Sequence, residues 1–350
     1  MDTVTQMLFG ATVAQVGFRR RLGRKALAAG ALIALVPDLD VAAGWFAGPF
    51  ANWVHHRGVT HSLLFGPTIG LLLAFGLWLW WRRREPDRRP DPQVLQAWVW
   101  LTVAALITHP IIDVFTSYGT QLLAPFSRHR FAIDAMPIID PVYSLALVAA
   151  LVVGIVAKRR VLAAQVSAAL ALLFITGWTL LGWSVNERVE AVAKQQLSTP
   201  AEVTAYPTLF QPWLRRVVAE TPDAVRVGFY SVLDPRQIAW AEFPRNGLPP
   251  EARAVAETEQ AAILRWFAMD NVFWQVEPAA DGTATVRALD YRYGMFGGTE
   301  LGFWGIRAVV DASGRLLEGP EVFSRRPQAD EAGLRTLWIK VFGGTFGPHQ

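Results

Sequence analysis

Histidine and aspartate side chains are concentrated in three short segments near the beginning of the chain. These segments are Pro37-Asp38-Leu39-Asp40, residues 55–62 (HHRGVTHS) and residues 108–113 (THPIID). Since the chain has no cysteine, disulfides and thiolate metal sites are excluded. Imidazole nitrogens and carboxylate oxygens suit Zn²⁺ or a similar divalent ion. Such an ion polarises a carbonyl or phosphoryl oxygen and activates water near neutral pH.

The spacing of His109 and Asp113 places both side chains on one face of a helix. Residues four positions apart have Cβ atoms ~5–6 Å from one another, which allows the two side chains to share a divalent ion. Pro110 lies between them, so a helix is predicted to start or kink there. The alternative interpretation is a histidine at a helix end that is hydrogen-bonded to a nearby carboxylate.

Residues 55–62 contain three histidines and one arginine directly before a long apolar stretch. Histidine-rich tracts typically bind metal. Because His56 and His61 are five positions apart, they do not share a helical face, and Gly58 is predicted to mark a turn. The alternative is a polar loop at the membrane interface that needs no ligand.

Asp38 and Asp40 interrupt an otherwise apolar stretch. An ionisable group at membrane depth costs roughly 2.5–3.5 kcal/mol on insertion scales, and such groups persist mostly when they are paired or liganded. If the chain leaves the membrane before Asp38, a helix cap or a surface loop is the simpler explanation.

Long apolar segments separate these polar residues and must position them. A helix needs roughly 20 residues to cross a bilayer. The predicted spans are Leu63–Trp81, Val94–Ile112, Pro141–Ala157 and Val161–Ser184, preceded by two weaker candidates, Thr3–Phe18 and Ala26–Val36.

The distribution of positive charge predicts an orientation. Lys and Arg cluster at 19–25, 82–89 and 158–160, whereas the alternate loops at 37–62 and 113–141 carry few. Cytoplasmic loops are rich in Lys and Arg. The three polar segments and the C-terminal half are therefore predicted to lie on the non-cytoplasmic side.

Three arginines and one further aspartate share that predicted side. The arginines are Arg57, Arg128 and Arg130. A guanidinium group suits phosphate, although snorkelling of the side chain at the interface is the alternative. Asp140 precedes the apolar segment that begins at Pro141 and is a further candidate for the site.

The C-terminal half has the composition of a soluble domain. It holds 17 Lys and Arg against 20 Asp and Glu, so the pI of about 9.6 does not indicate nucleic-acid binding. Predicted helices are Glu187–Leu197 and Glu251–Ala268. Predicted strands are Ala224–Val232, Val272–Glu277, Thr283–Leu289 and Gly302–Val310, with turns at Asp281-Gly282 and Asp311–Gly314. The predicted fold is an α-helical integral membrane domain of about four to six spans (1–184), followed by a soluble, extracytoplasmic α+β domain (185–350).

Several short motifs are spaced along the first 141 residues. They are MDTVTQ at 1–6, PDLD at 37–40, HRGVTHS at 56–62, THPIID at 108–113, FTSYGTQ at 115–121 and Asp140-Pro141. Over residues 1 to about 160 the chain resembles the YdjM-like family of bacterial inner-membrane, metal-dependent hydrolases. The resemblance implies an inner-membrane location and a hydrolase activity, for which phospholipase-like chemistry has been suggested.

By the same resemblance, the metal-site candidates are Asp38, Asp40, His56, His61, His109 and Asp113, with Asp140 as a further polar member. Many relatives carry His where this chain has Gln6. Glutamine is a poor metal ligand, so Gln6 is expected to orient a ligand or a water instead. The C-terminal half resembles an extra domain that some long members carry.

These observations favour a membrane-bound, metal-dependent hydrolase acting on a phosphoester in a lipid or envelope component. The predicted ligands of a divalent ion, most simply Zn²⁺, are His56, His61, His109, Asp113 and Asp38. In addition, Asp38 or Asp40 is predicted to act as the general base, Arg57 to meet a phosphate with Arg128 or Arg130, and Asp140 to assist.

Two alternatives remain open at this stage. In the first, the protein is a non-catalytic, membrane-anchored binding or envelope-assembly protein, whose His/Asp cluster is structural. In the second, the clustered histidines sense pH. The expected partners are membrane lipid and a lipid or phosphoester substrate, without nucleic acid.

Overall fold

The structure is a computed structural model that describes residues 1–84, 91–157, 159–245, 247–294, 301–325 and 331–343. The chain divides into two units. The helical unit comprises Met1–Ala43, His55–Leu181 and Leu209–Gln211. The β unit comprises Gly44–Val54, Gly182–Thr208 and Pro212–Gln350.

Helices make up most of the first 196 residues. They are α1 (Thr3–Gly17), α2 (Arg19–Leu22), α3 (Lys25–Ile33), α4 (Ala42–Ala47), α5 (Pro49–His55), α6 (Phe65–Arg84), α7 (Pro92–Val114), α8 (Pro141–Val156) and α9 (Val161–Gln196). Two short 3₁₀ helices, Pro37–Val41 and Val59–His61, lie between them. Aspartates begin three of the helices, because the carboxylates of Asp2, Asp91 and Asp140 accept hydrogen bonds from the first-turn N–H groups.

Among the described residues, three helical segments are long and apolar enough to cross a membrane. They are Lys25–Ala47, Pro92–Val114 and Val161–Gln196. The pair Pro49–His61 and Phe65–Arg84, bent by 70°, makes a fourth if it counts as one span. Helices α1 and α8, with 15 and 16 residues, are shorter than the roughly 20 residues that a span needs. The predicted helical membrane part is confirmed, at the lower end of the predicted number of spans.

Small residues allow the first helices to pack closely. A Cβ atom on Gly10 of α1 would lie 2.3 Å from the carbonyl oxygen of Gly30 on α3, and one on Gly30 would lie 2.4 Å from the oxygen of Gly10. Ala14 and Ala34 are buried beside them. Such contacts are typical of membrane helix pairs, in which small residues let two backbones approach.

In the part of the β unit that the structure describes, two four-stranded antiparallel sheets have simple sequential strand order. Its strands are β1 (Glu202–Pro207), β2 (Leu214–Glu220), β3 (Ala224–Ser231), β4 (Ala241–Pro244), β5 (Val272–Pro278), β6 (Ala284–Asp290), β7 (Trp304–Val310) and β8 (Leu316–Ser324). Its helices are α10 (Arg253–Ala256), α11 (Glu259–Phe267) and α12 (Glu331–Phe342), with a 3₁₀ turn at Pro250–Ala252.

The structure confirms four of these strands as predicted, β3, β5, β6 and β7. Both predicted hairpin turns are present, with positive φ at Gly282 (85°) and Gly314 (80°). Strands β1, β2, β4 and β8 were not predicted.

Two helix predictions in this half are confirmed except for their boundaries. Glu187–Leu197 is not a separate helix, since α9 runs without a break from Val161 to Gln196. The predicted helix Glu251–Ala268 is split, because Thr258 stops α10 and caps α11 by accepting a hydrogen bond from Ala261 N.

Candidate metal centre

Helix α7 supplies His109 and Asp113 from one face. A helix start at Pro110 was one of the two predicted outcomes, and it is not observed, because α7 runs through Pro110 to Val114. Nε2 of His109 lies 3.5 Å from Oδ2 of Asp113, as the four-residue spacing predicted. Both side chains are buried.

His61 reaches the same point from a tight turn. The predicted turn at Gly58 is present, since Gly58 N donates to His55 O and His61 N donates to Gly58 O. The turn leads into the 3₁₀ helix Val59–His61, which buries the His61 ring completely. Nε2 of His61 lies 3.4 Å from Oδ2 of Asp113.

Asp38 completes the arrangement from the 3₁₀ helix Pro37–Val41. Its Oδ1 atom lies 3.4 Å from Nε2 of His61 and 3.4 Å from Nε2 of His109. The ligand atoms of these three residues all lie within 4.8 Å of one another. Asp38, His61, His109 and Asp113 are called the candidate metal centre below.

The separations in this centre match those between ligands of one small cation. Four nitrogen–oxygen distances lie between 3.4 and 3.5 Å. Tetrahedral ligands at the usual Zn–N and Zn–O bond lengths of ~2.0–2.2 Å are ~3.3–3.6 Å apart. The distances are longer than ordinary hydrogen bonds. For Asp38, His61 and His109 the ligand atoms also lie mutually close enough to share one ion.

The contacts made by Nδ1 of each histidine leave Nε2 as the nitrogen that faces the centre. Nδ1 of His109 lies 2.6 Å from the carbonyl oxygen of Ala34. A carbonyl oxygen only accepts, so Nδ1 carries the proton and the Nε2 of a neutral ring is left with a lone pair. Nδ1 of His61 lies 3.1 Å from Oδ2 of Asp40, which orients that ring in the same way. Metal-bound histidines are typically held by such outer contacts.

The donor set therefore fits a divalent cation. Within the described part of the chain, Nε2 of His61 and Nε2 of His109 are buried and make no hydrogen bond. When both rings are neutral, their Nε2 lone pairs face carboxylate oxygens and repel them unless a cation lies between. Buried polar atoms without a partner are uncommon in native structures, and here a bound ion would satisfy both.

Asp40 lies behind the centre instead of within it. Its carboxylate contacts Nδ1 of His56 at 2.7 Å, Thr60 Oγ1 at 2.6 Å and Arg57 N at 3.0 Å, besides Nδ1 of His61. With so many donors, Asp40 is a positioning residue. Nδ1 of His56 contacts Asp40, and His56 has no described contact with Asp38 or Asp113. The roles of Asp40 as base and of His56 as ligand stay predictions.

Arg57 contacts the oxygen of Asp113 that faces away from the two histidines. Its guanidinium lies 3.2 Å from Oδ1 of Asp113 and donates to Thr116 Oγ1 at 2.7 Å. The same Asp113 oxygen accepts from the amino group of Met1 and, at 3.2 Å, from Nε2 of Gln6. These three donors hold Oδ1 and leave Oδ2 to face the histidines. Gln6 thus contacts Asp113, one of the predicted ligands, whereas Arg57 is buried instead of facing an open phosphate position.

The other predicted site residues have separate contacts. Asp140 caps α8 by accepting from Val142 N and Tyr143 N, and its Oδ2 accepts from Trp178 Nε1 at 2.8 Å. These contacts make Asp140 a helix cap, with no described contact to the centre. Arg130 is buried against the carbonyl oxygens of Tyr118 and Gly119, and Arg128 is exposed.

The model of the family described as "YdjM inner membrane protein" matches residues 1–185, more than half of the chain and all of the candidate metal centre. The chain belongs to this YdjM family. It is 35% identical over 107 residues to the inner membrane protein YbcI of Escherichia coli (strain K12), a match that covers 30% of this chain and 56% of YbcI. It is 23% identical over 242 residues to the uncharacterized protein YfhP of Bacillus subtilis (strain 168), covering 68% of each chain. No solved structure matches.

In this YdjM family member, the four residues of the candidate metal centre differ in solvent exposure. The side chains of His61 and His109 are fully buried and that of Asp113 is 1% exposed, whereas Asp38 is 21% exposed. Any molecule that approaches from outside therefore meets Asp38 first.

Tyr118 is a member of the surrounding shell that was not singled out from the sequence. Its ring lies 4.8 Å from the guanidinium of Arg57, 5.3 Å from that of Arg130 and 5.3 Å from the ring of His56. The available signal was its position within FTSYGTQ, one of the motifs that carry the YdjM resemblance.

Proposed function

We propose that this protein is a membrane-bound, metal-dependent hydrolase whose substrate is a phosphoester in a lipid or envelope component. The observation that carries the proposal is the candidate metal centre, where each of two imidazole nitrogens lies 3.4–3.5 Å from each of two carboxylate oxygens. When bound there, a divalent ion supplies Lewis-acid chemistry that polarises a phosphoryl oxygen and activates water.

The protein's own residues hold the donors in place. Asp40 and the carbonyl of Ala34 direct the two Nε2 atoms inward, while Arg57 and Gln6 hold the far oxygen of Asp113. Because these contacts exist before substrate arrives, little reorganisation is needed during the reaction, which is the basis of electrostatic preorganisation.

The side that includes Asp38 is the proposed substrate side. A centre enclosed on all sides suits a structural ion, whereas a catalytic centre keeps one position open. Asp38 is the only substantially exposed member among the four, so the substrate would approach beside its carboxylate. In this proposal Asp38 is a ligand and the nearest candidate for the general base.

A phosphoester is proposed because two buried guanidinium groups lie at the ring of Tyr118, and one of them contacts a carboxylate of the centre. Arg57 and Arg130 flank the ring of Tyr118, and Arg57 contacts Asp113 directly. Fixed cations near the reacting group favour the negative charge that a phosphoryl group carries during transfer.

The experiment compares metal content and hydrolysis in the purified full-length protein. Wild type is loaded with Zn²⁺, Mn²⁺ or Mg²⁺, bound metal is measured by mass spectrometry, and turnover is followed with bis(p-nitrophenyl) phosphate and phosphatidylglycerol vesicles. We expect stoichiometric metal and turnover in wild type, and loss of both in His61→Ala and in His109→Ala. The exposed histidines provide matched controls, since His55→Ala and His129→Ala should retain both properties.

A second candidate function is a non-catalytic, membrane-anchored binding protein with a structural ion. The β unit favours it, because two four-stranded sheets form a substantial domain that the metal chemistry does not require. Metal retained by wild type without turnover on any phosphoester would support this second function and overturn the first. Wild type that binds no divalent ion would overturn the metal centre itself.

A further inference from the structure

A cavity of different character lies beyond the far end of α1 from the metal centre. It measures about 460 Å³, and four cationic side chains line it, namely Arg20, Arg21, Arg24 and Lys25. Helix α1 carries Gln6 near its beginning and ends at Gly17. At 1.5 Å per residue, Gln6 and Arg20 are ~20 Å apart along this direction. The site, called the basic cavity below, is therefore separate from the metal centre.

The charged side chains that line the basic cavity are all positive. Its four cationic residues occur within six consecutive positions, around a turn where Gly23 has φ of 70°. The described lining contains no carboxylate. Two further guanidinium groups lie close by, with Arg82 over the ring of Trp78 at 5.0 Å and Arg84 over that of Trp80 at 5.5 Å. Such a field favours an anion.

The aromatic part of the lining supplies a second, independent observation. Trp80 and Trp98 both line the cavity. Trp98 is only 3% exposed, and its indole N–H has no hydrogen-bond acceptor among the residues that the structure describes. A buried tryptophan N–H usually has a partner. An oxygen atom of a ligand in the cavity would be that partner.

The neighbouring surface is apolar. Leu72 and Phe75 of α6 are 70% and 53% exposed, and α6 continues from them to Trp80 and Trp81 at the cavity. An apolar helix face that leads to tryptophan and arginine matches the sequence of environments from acyl chains to headgroups in a bilayer.

We propose that the basic cavity binds the phosphate-bearing headgroup of an anionic phospholipid. Guanidinium groups of Arg20 and Arg24 would pair with the phosphate oxygens, the N–H of Trp98 would donate to a headgroup oxygen, and the acyl chains would lie along α6. Basic pockets between membrane helices recognise anionic headgroups by the same chemistry. Free phosphate shares the charged group but lacks the acyl chains.

The test uses full-length protein in detergent, titrated with phosphatidylglycerol, phosphatidylcholine or glycerol 1-phosphate, with binding measured by native mass spectrometry. Wild type should prefer phosphatidylglycerol. In Arg20→Gln with Arg24→Gln, affinity for this lipid should fall roughly 30-fold, as expected for two lost cations at an anionic group. Trp98→Phe, which keeps an aromatic side chain but removes the N–H, should also weaken binding.

The matched control also removes two positive charges, at a site outside the basic cavity. Arg159 and Arg160 are exposed and do not line the cavity, so Arg159→Gln with Arg160→Gln should bind the lipid as wild type does. An equal loss in this control would overturn the site, because it would show general attraction to charge. Equal binding of both lipids, full competition by glycerol 1-phosphate, or unchanged binding by Trp98→Phe would each overturn it as well. Monodisperse elution and wild-type metal content verify that each variant is folded.

Discussion

The carboxylate of Asp40 lies 3.1 Å from Nδ1 of His61, while Nε2 of the same ring faces Asp38 and Asp113 at 3.4 Å each. The His61 ring therefore contacts Asp40 through one nitrogen and faces Asp38 and Asp113 with the other. The contact between Nδ1 and Asp40 determines which nitrogen of His61 carries the proton and how the ring is oriented.

This relationship predicts a graded effect for Asp40→Asn. The amide keeps the size of the side chain but weakens its hold on Nδ1 of His61. Loss of such an outer contact typically lowers metal affinity about 10–100-fold. Chelator competition with Zn²⁺ measures the change, and Asp91→Asn, at the distant start of α7, is the control. Unchanged affinity would show that Asp40 does not orient the ring, and complete loss of metal would make it a ligand.

The contact between Gly10 and Gly30 predicts a large effect of one added methyl group. In Gly30→Ala the new Cβ atom would lie 2.4 Å from the oxygen of Gly10 and 2.8 Å from Cβ of Ala14. Helices α1 and α3 would have to separate, at a cost of roughly 1–3 kcal/mol as for other overpacked sites. The shift would also move Ala34, whose carbonyl orients His109.

Thermal unfolding of the detergent-solubilised protein measures this effect. Gly30→Ala should unfold at a lower temperature and bind Zn²⁺ more weakly. Gly17→Ala is the matched control, since an added Cβ at Gly17 meets nothing within 4 Å. Equal midpoints for the two variants would contradict the close packing of α1 against α3.

The turn between β7 and β8 predicts a pH-dependent contribution to stability. The hydroxyl of Ser313 donates to Oδ1 of Asp311 at 2.5 Å, and with backbone N–H groups it lowers the pKa of Asp311 from 3.8 to about 2. A depressed carboxyl pKa stabilises the folded state above the unfolded value, and this contribution is lost as the pH falls towards 2.

Denaturant unfolding at several pH values tests this effect. Asp311→Asn should be less stable than wild type at neutral pH, and the difference should close between about pH 4 and pH 2. Ser313→Ala should bring the pKa of Asp311 back towards 3.8. A difference that stays constant across this pH range would show that the carboxylate charge is not involved.

Much of the local structure was predictable because it depends on neighbouring residues. The long apolar stretches predicted α6, α7 and α9, and the four-residue spacing placed His109 beside Asp113. The strands β1, β2, β4 and β8 were missed. Strand β4 is only four residues long, and β2 carries Arg215 and Arg216, which are buried by hydrogen bonds to distant carbonyl oxygens of Gly182 and Leu301.

The sequence alone determined the donor types and the helical membrane part, because residue chemistry and hydrophobic periodicity act over a few positions along the chain. Its spaced motifs also carried the resemblance to the YdjM family. Tertiary structure decided which donors face one point. Asp38 and Asp40 are two residues apart, yet one faces the histidine Nε2 atoms and the other supports a ring from behind. The supporting contacts, of Thr60 with Asp40, Ala34 with His109 and Gln6 with Asp113, join segments that are distant along the chain and form only in the folded protein.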